Sequence, residues 1–206
     1  MKINSIRLPK TATGYKSFHR IIDVSRKLFA EKGFLATSTN QIISEAKVAI
    51  GTFYIYFDDK RAVYDYLLND YSKRIRKEIQ TKVKDLPTRY EKEREGLRAF
   101  INFSLQDRLS YRIIWESMFV DRTLFIEYYS NFAEVYSKQL QIAVESGEVD
   151  KNIDLETLSF ALMGISNFVG LQVVFKEKIT DEEIDLIINN VMYFLQNGMF
   201  NMPLKK

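Results

Sequence analysis

Cysteine is absent from this 206-residue chain, which excludes disulfides, thiolate nucleophiles and cysteine-ligated metals. A single histidine, His19, excludes any site built from two or more imidazoles. There are only three prolines, at positions 9, 87 and 203, and eight glycines, so long stretches run without a helix breaker. No Gly-rich phosphate loop, paired metal-ligand motif or nucleophile–base arrangement occurs, so neither a cofactor nor an enzymatic activity is expected. No uninterrupted apolar run approaches the roughly 20 residues that cross a bilayer. The first ten residues lack the apolar core and cleavage pattern of a signal peptide. The expected compartment is the cytoplasm, with no membrane partner.

What is present suits a helical, core-forming protein. The hydrophobic share is 46%, enough for a substantial core, and 28% charged residues argue against disorder. Charge is unevenly placed. Residues 1–85 carry 17 basic against 9 acidic side chains, a net of +8, and the remainder nets −5. A basic head on an acidic body suits a polyanion-binding module joined to a separate sensing or pairing module.

Periodicity and punctuation predict an all-α chain of nine helices with no strand pattern. The first covers about 16–32 and stops at Gly33. The second opens at a cap of Ser38 or Thr39, and the third runs from about 49 to 57. A fourth follows Asp58 and Asp59 over 60–84, and Pro87 ends that connection. The others are expected near 88–107, 111–120, 124–146, 155–175 and 181–197, the last capped by Asp181 and stopped by Gly198. A boundary within the fourth helix would divide an N-terminal head, 1–60, from a body, 61–206.

Residues 37–60 carry the most information. Ile42, Ile43 and Ala46 give the second helix one apolar side. In the third, Val48, Phe53 and Phe57 can face inward, which leaves Ala49, Ile50, Thr52, Ile55 and Tyr56 outward. That outer face is short and uncharged, a surface that can lie against base edges in a major groove. The run Ile42…Ala46-x-Val48-x-x-Gly51-Thr52-Phe53-Tyr54-x-x-Phe57-x-x-Lys60 closely resembles the helix-turn-helix signature of TetR-type, tetracycline-repressor-like transcription regulators. Ile21-Ile22-x-Val24-x-x-x-Leu28-Phe29-Ala30-Glu31-Lys32-Gly33-Phe34 is similar to that family's first helix and the glycine ending it. The resemblance is detailed over about 18–68 and looser around Trp115 to Gly147. Two positions depart from it. Lys47 stands at a turn position usually held by glycine, at a cost of about 1 kcal/mol in a left-handed conformation. Ala49 replaces the usual serine that opens the recognition helix. Both are read as changes of DNA specificity or affinity.

The resemblance implies a DNA-contacting set: Ser38, Thr39, Lys47, Ala49, Ile50, Gly51, Thr52, Tyr54, Ile55, Tyr56 and Lys60. Tyr54 and Tyr56 match positions that reach phosphate, and Lys60 can add its charge to the N-terminus of the fourth helix. Gly51 would let the helix approach the DNA backbone. Thr52, Ile50 and Ile55 are candidates for reading bases, the isoleucines through thymine methyls. A basic arm, Lys2, Arg7, Lys10 and Lys16, can either track phosphate or serve as a solubilising tail.

In the body, aromatic density between 100 and 136 exceeds what a small core needs. The resemblance implies an effector pocket there, for which Phe103, Tyr111, Trp115, Phe119, Tyr128, Phe132, Phe160 and Met163 are candidates. Such a lining suits a flat or long apolar small molecule. Stripes on the last two helices, with Leu158, Leu162, Ile165 and Val169 on one and Ile184, Ile188 and Val191 on the other, suit a four-helix pairing surface. A homodimer would set two recognition helices roughly 34 Å apart on a near-palindromic double-stranded operator. The expected protein is a DNA-binding repressor released by a small apolar effector. The alternatives are a non-specific architectural DNA binder and a helical enzyme with a DNA-binding head.

Overall fold

The computed structural model describes residues 6–199. Among them are nine helices: α1 (Ala12–Lys32), α2 (Thr39–Glu45), α3 (Ile50–Tyr56), α4 (Lys60–Val83), α5 (Arg89–Gln106), α6 (Arg108–Val120), α7 (Arg122–Glu145), α8 (Leu155–Val174) and α9 (Asp181–Asn197). The order and number follow the sequence expectation, and the differences lie at helix starts. α1 begins four residues early because the Thr11 hydroxyl accepts from the Gly14 N–H and caps it. α6 begins three residues early on an Asp107 cap. α9 is capped by Thr180 rather than Asp181, in a reciprocal box with Glu183.

Contacts divide the chain into two compact units, one formed by Met1–Arg76 with Asp107–Val135 and one by Lys77–Gln106 with Tyr136–Lys206. The first packs α1 against α2, α3 and α6. Its core is aromatic. Phe18 stacks on Phe57 at 5.1 Å and meets the edge of Tyr56 at 5.6 Å, while Phe29 packs edge-on to Tyr64. Each such buried ring stabilises the fold by about 1.5–3 kcal/mol. The Tyr64 hydroxyl, fully buried, donates to the Ile113 carbonyl at 2.6 Å, which satisfies the one polar atom this ring takes inside.

The second unit is built on α5, which packs against α8 and α9. Leu97 and Ile101 of α5, Val173 of α8, and Ile184, Ile188 and Met192 of α9 form one core cluster, with Val169 and Val191 packed against it. This corrects the pairing-surface expectation. Leu162, Ile184 and Ile188 are buried inside the single chain, and Val169 and Val191 pack on the same core, because these stripes face α5. Leu158 and Ile165 are half-buried. α8 has no uninterrupted apolar run, since Glu156, Asn167 and Gln172 break it, but it is apolar on average. Within its 20 residues an 18-residue window has a mean hydropathy of 1.5, long and apolar enough to cross a membrane by length and composition. Leu162, Met163 and Val173 of that helix are nevertheless buried within the protein.

Candidate nucleic-acid interface

α2 with its cap, the turn after it and α3 hold the expected DNA-contacting set apart from Lys60, which opens α4, and local chemistry explains each placement. Ser38 caps α2 by accepting from the Gln41 N–H at 3.1 Å, so its hydroxyl is committed to the helix end, with Thr39 half-buried beside it. Lys47 has a φ of 50° and is the one non-glycine residue with positive φ among those described. The turn thus holds the left-handed lysine that the sequence implied, and its side chain is exposed. Ala49 opens α3 without a side-chain cap. Ala49, Ile50, Gly51, Tyr54 and Ile55 are exposed and Thr52 is half-buried. Together they form one continuous, uncharged outer face. A Cβ added at Gly51 would meet nothing within 4 Å, so packing inside the chain does not require glycine there.

Two members of the set are corrected. Tyr56 is 8% exposed and lies against Phe18, because positions 53, 56 and 57 share the inner face of α3. Its ring therefore packs α1 rather than facing outward. Its closeness also explains Gly14, where a Cβ would stand 2.9 Å from the Tyr56 Oη. Lys60 is committed inward as well. Its ammonium donates to the carbonyls of Phe34 and Thr37, both at 2.7 Å, and sits 4.3 Å from the Phe34 ring centre. It ties α4 to the loop between α1 and α2.

The basic arm is partly docked. The Arg7 N–H donates to the Tyr56 carbonyl at 2.9 Å, its guanidinium donates to the Tyr54 carbonyl at 3.1 Å, and Asp58 pairs with it at 3.2 Å. Arg7 thus occupies carbonyls at the C-terminal end of α3, where a cation is favoured. Lys10 and Lys16 are exposed, and Lys2 lies outside the described residues.

Behind the head, α6 and its two caps carry three acids that sequence reasoning did not single out. Asp107 accepts from the Ser110 N–H and hydroxyl and pairs with Arg74 of α4 at 2.8 Å and Arg26 of α1 at 3.4 Å. Burial works to raise its carboxyl, but the Arg74 and Ser110 hydrogen bonds outweigh that and hold it below its ordinary value. The Glu116 carboxylate accepts from the Phe34 N–H at 2.7 Å, beside Gly33 in its left-handed turn. Asp121, following α6, pairs with Arg61 at 2.5 Å, which with backbone donors lowers its carboxyl. Nothing local in the sequence marks these contacts, since their partners lie 33 to 82 residues away.

The candidate effector-pocket residues are divided between the two units. Tyr111, Trp115, Phe119, Tyr128 and Phe132 belong to the first unit, and Phe103, Phe160 and Met163 to the second. Phe119 is 79% exposed and Phe160 is exposed too, so neither lines an enclosed space, whereas Tyr111 and Met163 are buried. In the first unit Tyr111 lies edge-on to Trp115 at 6.4 Å, and Tyr128 to Tyr129 at 5.1 Å.

Residues 21–67 match the family model for bacterial regulatory proteins of the tetR family. Residues 21–67 thus form a tetR-type DNA-binding region. The match contains α2, the turn after it, α3 and the start of α4, and so includes the face just described. The uncharacterized HTH-type transcriptional regulator YuxN of Bacillus subtilis (strain 168) is 47% identical over 51 residues, 25% of this chain and 18% of that protein. The chain therefore spans about a fifth of that relative's length. A TetR-family transcriptional regulator from Syntrophomonas wolfei str. Goettingen has the same fold, with a TM-score of 0.78 at 25% identity, covering 92% of this chain and 99% of that one. FadR from Bacillus subtilis, solved in complex with stearoyl-CoA, superposes with a TM-score of 0.76 at 20% identity over 89% of this chain and all of its own. The tetR-type architecture thus extends from the head through the helices that follow.

Proposed function

We propose that this tetR-type protein is a sequence-specific DNA-binding transcription regulator that represses by occupying a near-palindromic operator as a homodimer. It leaves that operator when a largely apolar small molecule binds, and it acts by binding rather than catalysis. The observation that carries the reading is the outer face of α3. Ala49, Ile50, Gly51, Thr52, Tyr54 and Ile55 are presented together without charge, behind a left-handed Lys47 turn and on a basic head. Ile50 and Ile55 suit thymine methyls, Thr52 a base edge, Tyr54 and Lys47 phosphate. In this reading residues 1–60 are the DNA head and 61–206 the effector and pairing body.

Two features support response to an effector. Asp107, Glu116 and Asp121 link α6 to α1, to the loop before α2 and to α4, so a displacement of α6 is felt by the head. The likeness to a FadR that holds stearoyl-CoA favours a ligand with a long acyl chain, and the aromatic side chains of α6 and α7 suit such a chain.

The test is fluorescence anisotropy with DNA from the region upstream of the protein's own gene, against scrambled DNA of equal length. Preference of about a thousandfold or more, with two chains per site, is expected. Equal and steeply salt-dependent binding to both would leave only an electrostatic head and sink the regulator reading.

A further inference from the structure

Three half-buried arginines in the first unit, Arg26, Arg61 and Arg74, come with carboxylates. On α4, Arg61 meets Asp65 and Asp121, and Arg74 meets Asp70 and Asp107. Arg76, two residues beyond Arg74, breaks this pattern. Its guanidinium carbon lies 4.9 Å from the ring centre of Phe132 on α7. Its Nε is buried, and no acceptor among the described residues reaches it. Stacking on an aromatic face satisfies the flat side of a guanidinium and leaves its donor-bearing edge free for an anion. A guanidinium N–H shut off from water without an acceptor is costly, which makes its retention informative.

The surroundings are apolar rings with phenol hydroxyls. The Tyr128 phenol is close enough to feel the charge of Arg76 and the phenols of Tyr71, Tyr129 and Tyr111. Burial pushes Tyr128 well above the ordinary phenol range, and Tyr129 is raised as well. Both therefore remain neutral donors at physiological pH and supply Arg76 with no negative charge. Phe125 packs on Tyr129 at 4.8 Å, which extends the apolar side of the cluster.

We propose that Arg76 is the anchor for an acidic group on the effector, which is an amphiphilic anion. Its carboxylate or phosphate pairs with the edge of the guanidinium, and its apolar chain lies against the rings of Phe132, Tyr128 and Tyr129. This rests on the reading of the protein as effector-responsive and narrows the effector's chemistry.

The experiment needs no DNA, so its outcome is separable from that of operator binding. Trp115 is the only tryptophan in the chain and stands beside Tyr111, so its fluorescence reports on α6. It is titrated with dodecanoate, dodecyl phosphate, dodecanoyl-coenzyme A and uncharged dodecanol, each below its micelle concentration. At least one anion is expected to bind about tenfold or more tightly than the alcohol, the worth of a hydrogen-bonded charge pair. Free acid favoured over thioester would assign the carboxylate to Arg76, and the reverse a phosphate. Arg76→Gln is expected to bring anion binding down to the level of the alcohol in the same variant, and Arg76→Lys to restore part of the preference. Equal binding of the alcohol by the wild-type protein, failure of every anion to bind, or an undiminished preference in Arg76→Gln overturns the proposal. The wild-type comparison of anion with alcohol stands even where a variant folds poorly.

Discussion

Gly51 occupies the second position of α3, in its first turn, where glycine costs up to about 1 kcal/mol relative to alanine. Because a Cβ there would meet nothing within 4 Å, the chain gains nothing internally from the glycine. Gly51→Ala is therefore expected to raise Tm by a few degrees, about 2–6 °C, and to weaken operator binding about tenfold or more by holding the helix off the DNA backbone. Calorimetry and anisotropy on the same preparation check both halves, and an unchanged operator affinity would remove Gly51 from the contact surface. At this scale the sequence was legible where a side chain's own chemistry decided its place. Lys47 stands where the turn needed a left-handed residue, and Ser38 stands where α2 needed a cap. It was misleading where the partner carries no sequence signal. Lys60 is held by two backbone carbonyls, which every residue possesses. Tyr56 was legible in principle, since it lies three residues after Phe53 on a helix, but its likeness to a phosphate-contacting family position pointed outward.

Among the elements, α6 illustrates why helix bodies were easier to read than helix ends. Apolar spacing set the bodies, whereas starts depended on which polar residue offered a cap, and Asp107 was passed over in favour of a later start. That residue now joins three helices. Its carboxyl lies below its ordinary value in the folded protein, so it binds protons less readily there than in the unfolded chain. Its contribution is then fully present above the unfolded value, about 3.9, and is lost as pH falls through the lower folded value. Asp107→Asn keeps a capping oxygen but removes the charge facing Arg26 and Arg74, and it is expected to cost about 1–3 kcal/mol at neutral pH. Chemical denaturation of both proteins from pH 7 to pH 2.5 should show the gap closing towards the acid end. A gap that stays constant over that range would mean that the ion pairs contribute nothing and that the loss comes from packing alone.

For the whole molecule, the apolar stripes of α8 and α9 were legible as buried surface but not as to what buries them. Periodicity reports that a face is hidden from water and is blind to whether the covering helix belongs to the same chain. Here α5 covers Ile184 and Ile188, so a pairing surface must use what remains outside. Leu186 and Tyr193 on α9 are 61% and 69% exposed, and Phe168 on α8 is exposed too. Leu186 and Tyr193 are seven residues apart and so project from one side of α9. Single exposed apolar residues are ordinary, but a row of large ones on the two helices proposed to pair is what a subunit interface requires. Sedimentation velocity of the wild-type protein is expected to give a dimer. The double variant Leu186→Glu/Tyr193→Glu should sediment as a folded monomer with an unchanged helical circular dichroism spectrum, and it should bind the operator about a hundredfold or more weakly because the two heads no longer act together. Ile188→Glu is the internal comparison. It places a charge in the core of the second unit and should lose the helical signal instead. If the double variant remains dimeric, pairing uses another surface, and if Ile188→Glu folds as a monomer, the original stripe is the interface after all.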